Sequence, residues 1–467
     1  MRLLAYRMHR RQVAIAGLCL LALATWVLNR DNELWAGSTY RVLRGLGIET
    51  LKGKPFVKTF PIWGYPGLVA GIGAVSRSAI DAALPIIQLV ACVVVIVGLS
   101  YPWLSRWKAW QLVLWLLLMA PVLSFATRRL PDAIVEIALL TMLLAIREWI
   151  RTRRWVWLLV GVTSVIVAVN MRSEVLIFVL AAFVATLALR LTRRRIDLSA
   201  ITRVAGVLAI AALVGVLPWA VNSRAHAGTL LLTSTNGPGW FYEGLGQLPD
   251  NPWHLRGYDS YPRSFAASKG VPDPFSLAGS RVLTPEDERL VSAHPAAYLE
   301  KVAWNLHSAA LGGVEPAPPA RGSAPGATRG ERLRALLSLR PSGVSWALDT
   351  LILRTRILNV AFLLMTIMSL WLGVRVIVWG KRWRPENLAV GWFCFLYTLF
   401  EFALVSVGYY MTRFMSPLFA AQALGLGYLL SAEPLENLVG SVGRRWSWSA
   451  RADEVPDAAV GDLRKAS

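Results

Sequence analysis

The chain has 467 residues, of which 55% are hydrophobic and 21 are tryptophan, and it carries a formal net charge of +21. That apolar share exceeds what a soluble domain needs to fill a core, and it points to lipid as the solvent. The basic excess would suit a nucleic-acid binder, but it falls in clusters at alternate exits of apolar runs, so it reads as membrane topology and excludes nucleic acid as the partner.

Apolar runs near the roughly 20 residues that a bilayer crossing takes predict an all-α polytopic bundle of about ten helices. The spans are 13–28, 79–100, 110–126, 131–147, 155–170, 173–189, 201–221, 357–378, 388–408 and 411–431. Arg2, Arg7, Arg10 and Arg11 precede the first; Arg106 and Lys108 follow the second; Arg147, Arg151, Arg153 and Arg154 follow the fourth. Arg190 and Arg193 to Arg195 follow the sixth, Lys381, Arg382 and Arg384 the eighth, and Arg444 and Arg445 the last. Because short cytoplasmic loops retain Lys and Arg, both termini are expected in the cytoplasm. The first span reads as an anchor, although Ala22-Leu23-Ala24 would also serve a signal-peptide cleavage site. Cys19, Cys92 and Cys394 all fall inside spans and form no disulfide framework or thiol-metal spacing.

The expected organisation is a transmembrane region over 1–221 with a first extracytoplasmic loop at 29–78, a large extracytoplasmic loop at 222–350, C-terminal spans over 351–431 and a cytoplasmic tail from 432 to 467. In the first loop, Leu34, Trp35, Val42, Leu43 and Leu46 have helical spacing with Arg41 and Arg44 interleaved, which predicts an amphipathic helix on the membrane surface. A second apolar stretch runs from Leu68 to Val75. Proline and glycine over 316–330 make the large loop read as mobile.

Ionisable residues gather in the gaps on the extracytoplasmic face. Arg128, Arg129, Asp132 and Glu136 lie between the third and fourth spans, with Asp132 and Glu136 on one helix face and Glu136 about a turn inside the bilayer. Arg172 and Glu174 lie between the fifth and sixth, and Tyr409, Tyr410 and Arg413 between the ninth and tenth. Arginines beside carboxylates suit a lipid-borne phosphate, since guanidinium grips phosphate oxygens bidentately at any relevant pH. A carboxylate just outside the first span, Asp31 or Glu33, is placed to deprotonate an acceptor hydroxyl. Each has a plainer role to set against that one: Asp31 as a helix N-cap, Glu33 in the field of the helix dipole, Arg128 or Arg129 snorkelling to headgroups. His226, His254, His294 and His307 show no ligand spacing, and neither a nucleophile elbow nor a nucleotide-binding glycine loop is present.

At these residues the chain resembles the GT-C superfamily of polyprenyl-phosphate-sugar-dependent glycosyltransferases, in the protein mannosyltransferase-like and aminoarabinose transferase-like branch. Asp31, Trp35 and Gly45 resemble the family's acid, aromatic and glycine after its first helix; Arg172-Ser173-Glu174 is similar to its arginine, small residue, glutamate segment. Pro218-Trp219 with Asn222, then Thr233 to Gly237 with Asn236, Tyr242 and Gly244, and finally Tyr409, Tyr410, Arg413 and Pro417 continue the likeness in order. Many members have adjacent acids, whereas here Asn32 separates Asp31 from Glu33.

The resemblance implies an inverting glycosyltransferase in a bacterial inner membrane. It would take sugar from a polyprenyl-phosphate donor to a hydroxyl acceptor, with Asp31 (second choice Glu33) as base and Arg128, Arg172 and Arg413 on the donor phosphate. Asp132, Glu136, Glu174, Asn236, Tyr242, Tyr409 and Tyr410 would line the substrates. A divalent cation is compatible with this chemistry, but the sequence offers no metal ligand set. A lipid-linked oligosaccharide polymerase or ligase, and a transporter or flippase, are the competing readings.

Overall fold

The computed structural model describes residues 2–29, 37–54, 63–76, 79–104, 109–127, 129–193, 196, 198–257, 259–310, 357–408 and 420–425. Every regular element among them is helical. In chain order they are α1 (Arg2–Asn29), α2 (Gly37–Leu51), α3 (Gly64–Val75), α4 (Ala79–Leu104), α5 (Ala109–Ala126), α6 (Pro131–Thr152), α7 (Trp155–Met171) and α8 (Glu174–Thr192). There follow α9 (Ser199–Ala227), α10 (Gly237–Leu245), α11 (Ser260–Ser268), α12 (Leu277–Ala293), α13 (Pro295–Ala310), α14 (Ile357–Trp379) and α15 (Pro385–Val407).

Seven of these, α1, α4, α5, α8, α9, α14 and α15, are long and apolar enough to cross a membrane, which makes this a membrane-embedded helical protein. Two other expected spans form helices that miss that standard for physical reasons. α6 carries Asp132, Glu136, Arg147, Glu148 and Arg151, and α7 has only 17 residues. The tenth expected span, 411–431, lies outside the described residues except for a helical stretch at 420–425.

One core, drawn from α1, α4–α9, α14 and α15, runs through the bundle. α6 lies at its centre, packed on α4, α5, α7 and α15. That position fits its sequence: Pro131 at the first helical position starts it after the extended Leu130, and its charged residues sit at the two ends of an otherwise apolar helix. Close approach is bought with small residues, as at Gly373, where a Cβ would stand 2.2 Å from the Phe395 ring across the α14–α15 contact.

At the arginine-rich end, Arg147 is nearly buried. It donates to the carbonyls of Leu99 (2.5 Å) and Gly98 (2.9 Å) and to Glu148 (2.7 Å). The Gly98 carbonyl is the one that Pro102, four residues on and lacking an N–H, leaves without its helical partner.

At the other end lie two outer layers. α2 and α3 form a pair whose Tyr40, Leu43, Tyr65 and Val69 pack on Leu84 of α4 and reach Ile134 and Met171. α2 forms a helix over Val42, Leu43 and Leu46 of the spacing expected in the first loop, with Leu34 and Trp35 outside the described residues, and α3 covers the apolar stretch after it. The region expected as a loop from 222 instead continues α9 to Ala227 and then folds as α10–α13; the segment 316–330 is outside the described residues. Within this layer α10, α11 and α12 pack on one another, Leu245, Ala266 and Leu283 are fully buried, and the Ser276 hydroxyl caps α12 by accepting from the Gly279 N–H at 3.1 Å.

The α10–α13 layer is fastened to the end of α15. Lys301 of α13, with no exposed surface, donates to the carbonyls of Ser406 (3.3 Å), Val407 (2.7 Å) and Gly408, and Asn305 donates to that of Val405 (3.2 Å). These are carbonyls at the C-terminus of α15, which have no partner within their own helix.

Candidate functional site

α7 ends at Met171 and α8 begins at Glu174, so only Arg172 and Ser173 turn the chain. Arg172 leaves the helix in an extended conformation (φ −145°, ψ 119°) while its N–H still closes the last turn on Ala168 at 3.0 Å. Its guanidinium Nη1 meets Asp132 Oδ1 at 2.9 Å and Nε lies 3.5 Å from Glu174 Oε2. Asp132 stands in the first turn of α6, where the helix dipole also favours a negative charge. Burial works against the Arg172 charge, but Glu174, Asp132 and Glu401 outweigh it and hold the group protonated above the usual arginine range.

Arg172 and Glu174 edge a small, shallow cleft lined also by Val135, Val175, Phe178, Tyr397, Phe400 and Glu401. The Tyr397 hydroxyl donates to Glu401 Oε1 at 2.6 Å. The Phe178 ring stands edge-on to Tyr397 with centroids 4.4 Å apart and 5.3 Å from Phe400, so aromatic rings and charged groups share the lining. Three carboxylates, Asp132, Glu174 and Glu401, thus surround one described arginine.

One turn deeper, Glu136 is wholly buried and lies 4.0 Å from the Cys92 thiol. Gln88, also wholly buried and a turn earlier on the Cys92 face of α4, has an amide with no hydrogen-bond partner among the described residues.

Two strands of contact tie this edge to the outer layers. The Ser173 hydroxyl accepts from the Ser234 N–H at 3.2 Å, and the Ser234 hydroxyl donates to Asn236 Oδ1, which anchors the chain entering α10 beside Arg172. Trp63, just before α3, donates its indole N–H to Asn170 Oδ1 at 2.6 Å. Asn170 is itself fixed by donating to the carbonyls of Ile166 (2.8 Å) and Gly215 (2.9 Å). Gly64 permits this docking, because a Cβ there would come within 2.2 Å of the Asn170 carbonyl oxygen.

The structure therefore brings Asp132, Arg172 and Glu174 together, sets Glu136 below them and joins Asn236 through Ser234. Tyr242 lies elsewhere, buried in α10 and stacked on Phe265 at 5.7 Å; burial, with Glu286 and Asp287 near by, pushes its hydroxyl up to about 12. Asp31, Glu33, Arg128, Tyr409, Tyr410 and Arg413 lie outside the described residues. Glu401 and Tyr397 are additions that the sequence reading passed over. The signal was present, since a carboxylate in the middle of an apolar span requires a polar surrounding, by the rule that singled out Glu136. No group of three or more His, Cys, Asp or Glu side chains among the described residues is arranged to hold a metal ion. No protein-family model matches the chain, and no curated protein or solved structure shows significant similarity to it.

Proposed function

We propose that this protein is an inverting glycosyltransferase that moves a sugar from a polyprenyl-phosphate carrier to a hydroxyl acceptor, at the membrane face opposite the arginine-rich end of the bundle. The observation that carries the reading is the side-chain cluster around Arg172: a fixed cation, carboxylates beside it and aromatic rings in one lining, the residue types that contact a sugar ring and its hydroxyls. Glu174 and Glu401 would accept hydrogen bonds from sugar hydroxyls. Asp132 and Glu174 keep the Arg172 fork aimed at the rim.

Three carboxylates around one arginine leave that rim short of positive charge for a phosphate. The proposal therefore requires Arg128 and Arg413 as further phosphate ligands. Asp31, with Glu33 as second choice, takes the acceptor proton as the acceptor oxygen attacks the anomeric carbon from the face opposite the phosphate. The bond from that carbon to the phosphate oxygen breaks, the carrier leaves as a lipid phosphate, and the configuration inverts.

The test is a transfer assay on the full chain in liposomes containing labelled polyprenyl-monophosphate sugars and candidate acceptors. Transfer should occur, should vanish in Asp31→Asn, and should fall about a hundredfold in Arg172→Gln, the scale of losing one charge-stabilising group at a reacting centre. Full rates in both Asp31→Asn and Glu33→Gln would refute the assigned base. Movement of the carrier across the bilayer without any sugar transfer would replace the reading with a flippase.

A further inference from the structure

The opposite end of the bundle holds an arginine that the proposed reaction does not use. Arg375 of α14 is only 4% exposed, and its Nε is buried without a hydrogen-bond partner among the described residues. The rings of Trp371 and Trp379, one turn to either side, have their centroids 6.0 and 5.9 Å from its Cζ. Among the described residues it makes no ion pair; Glu386, which begins the next helix at the same end, does not reach it. Aromatic faces attract the positive charge but accept no N–H in the plane of the guanidinium, so Nε–H stays unsatisfied among the described residues.

The chain treats a buried arginine quite differently where the role is structural. Arg147, at the same end and 6% exposed, is saturated by Glu148 and two backbone carbonyls. A buried, unpaired cation is costly in any protein and more so at membrane depth, unless an anion from outside the chain completes it.

We propose that Arg375 is the centre of a binding site for the phosphate headgroup of an anionic glycerophospholipid. Two features favour a lipid over a free phosphate. Lys381 and Arg382 stand exposed on the 3-10 turn that follows α14, adding positive charge at the rim. Val374 and Val378 are exposed and apolar beside the guanidinium on the same helix, and they offer acyl chains a surface that inorganic phosphate would not need. This site is independent of the glycosyltransferase reading.

The experiment uses the purified full chain in nanodiscs made from equal parts phosphatidylglycerol and phosphatidylcholine, with native mass spectrometry of the lipid retained on release. Wild type should retain phosphatidylglycerol over phosphatidylcholine by about tenfold, the scale of one charge-assisted, bidentate contact with rim support. Arg375→Gln should remove most of that preference and Arg375→Lys should restore part of it. Lys381→Gln with Arg382→Gln, at exposed positions that leave packing untouched, should weaken it by a few fold. An unchanged preference in Arg375→Gln, or no preference in wild type, overturns the site. So does a loss that follows only the exposed pair, which would mean diffuse surface charge. Should Arg375→Gln fail to fold, thermal unfolding of wild type decides. Stabilisation by phosphatidylglycerol over phosphatidylcholine supports the proposal; equal stabilisation by inorganic phosphate in phosphatidylcholine discs overturns the lipid assignment.

Discussion

Arg172 and Asp132 form an ion pair in which the side chains are 13% and 8% exposed, so neither charge has much water to fall back on. Removing one partner strands the other. Arg172→Gln should therefore cost about 3–5 kcal/mol of stability, and Arg172→Gln combined with Asp132→Asn should cost clearly less than the two single changes added together. Unfolding in mixed micelles, run as a double-mutant cycle, measures the coupling, and simple additivity would mean the pair is not formed.

Asp287 behaves differently, because it is 6% exposed and its Oδ1 has no hydrogen-bond partner among the described residues. Burial, with Glu286 and Glu288 beside it, pushes its carboxyl from an ordinary 3.8 up to about 8. Between those values the folded state keeps a proton that the unfolded chain releases. Its contribution to stability is thus complete below about pH 4 and is lost as pH rises through 8. Asp287→Asn should leave low-pH stability nearly unchanged, raise stability at pH 8, and flatten a dependence of at most about 1.4 kcal/mol per pH unit, the value for one proton.

At the scale of elements, the bundle meets its backbone obligations by lending side chains from one helix to another. Arg147 of α6 supplies the donor that Pro102 of α4 withholds from the Gly98 carbonyl. Arg147→Leu should destabilise the α4–α6 contact by a few kcal/mol, about the cost of orphaned buried polar groups. Pro102→Ala should recover part of that loss by restoring the helical N–H, and no recovery would show that Glu148, rather than the carbonyl, carries the effect.

Lys301 serves α15 in the same manner, and burial depresses its ammonium to about 7. There the unfolded chain holds the proton more tightly, so its contribution is present above about 10.5 and is lost as pH falls through 7, the reverse of Asp287.

Such loans are also where the sequence ceases to be legible. The apolar runs marked nine helices, because length and hydropathy are local properties, but they missed the polar start of α1, which begins at Arg2 rather than 13, and the end of α9 at Ala227 rather than 221. α2 and α3 were readable from a helical spacing and an apolar stretch. α10 and α11, with nine residues each and proline inside or beside them, are too short for a periodic pattern to emerge, and the region passed for loop. At the candidate site, Asp132, Arg172 and Glu174 were readable as charges gathered at one membrane interface, with Glu136 a turn inside. Their pairing, and the presence of Glu401 and Tyr397 opposite them, depend on how α15 packs beside α6 and α8, which no local pattern encodes.

For the whole molecule, the arrangement of charge has a consequence that can be measured without knowing the reaction. Arg147, Arg151, Arg153 and Lys381 lie at one end of the bundle, while Arg172, the Trp63–Asn170 contact and the α10–α13 layer belong to the other. If basic loops stay in the cytoplasm, every residue of the outer layer faces the opposite compartment. Cys19, Cys92 and Cys394 can first be replaced by Ala, the latter two being buried in the bundle. A single cysteine is then introduced at an exposed position of each end. Lys269→Cys, after α11, should react with a membrane-impermeant thiol reagent in intact cells. Arg153→Cys and Lys381→Cys should react only once the membrane is opened. Labelling of Arg153→Cys from outside would invert the topology, move the Arg172 cleft to the cytoplasmic face, and remove the reason for preferring a lipid-carried sugar over a nucleotide-linked one.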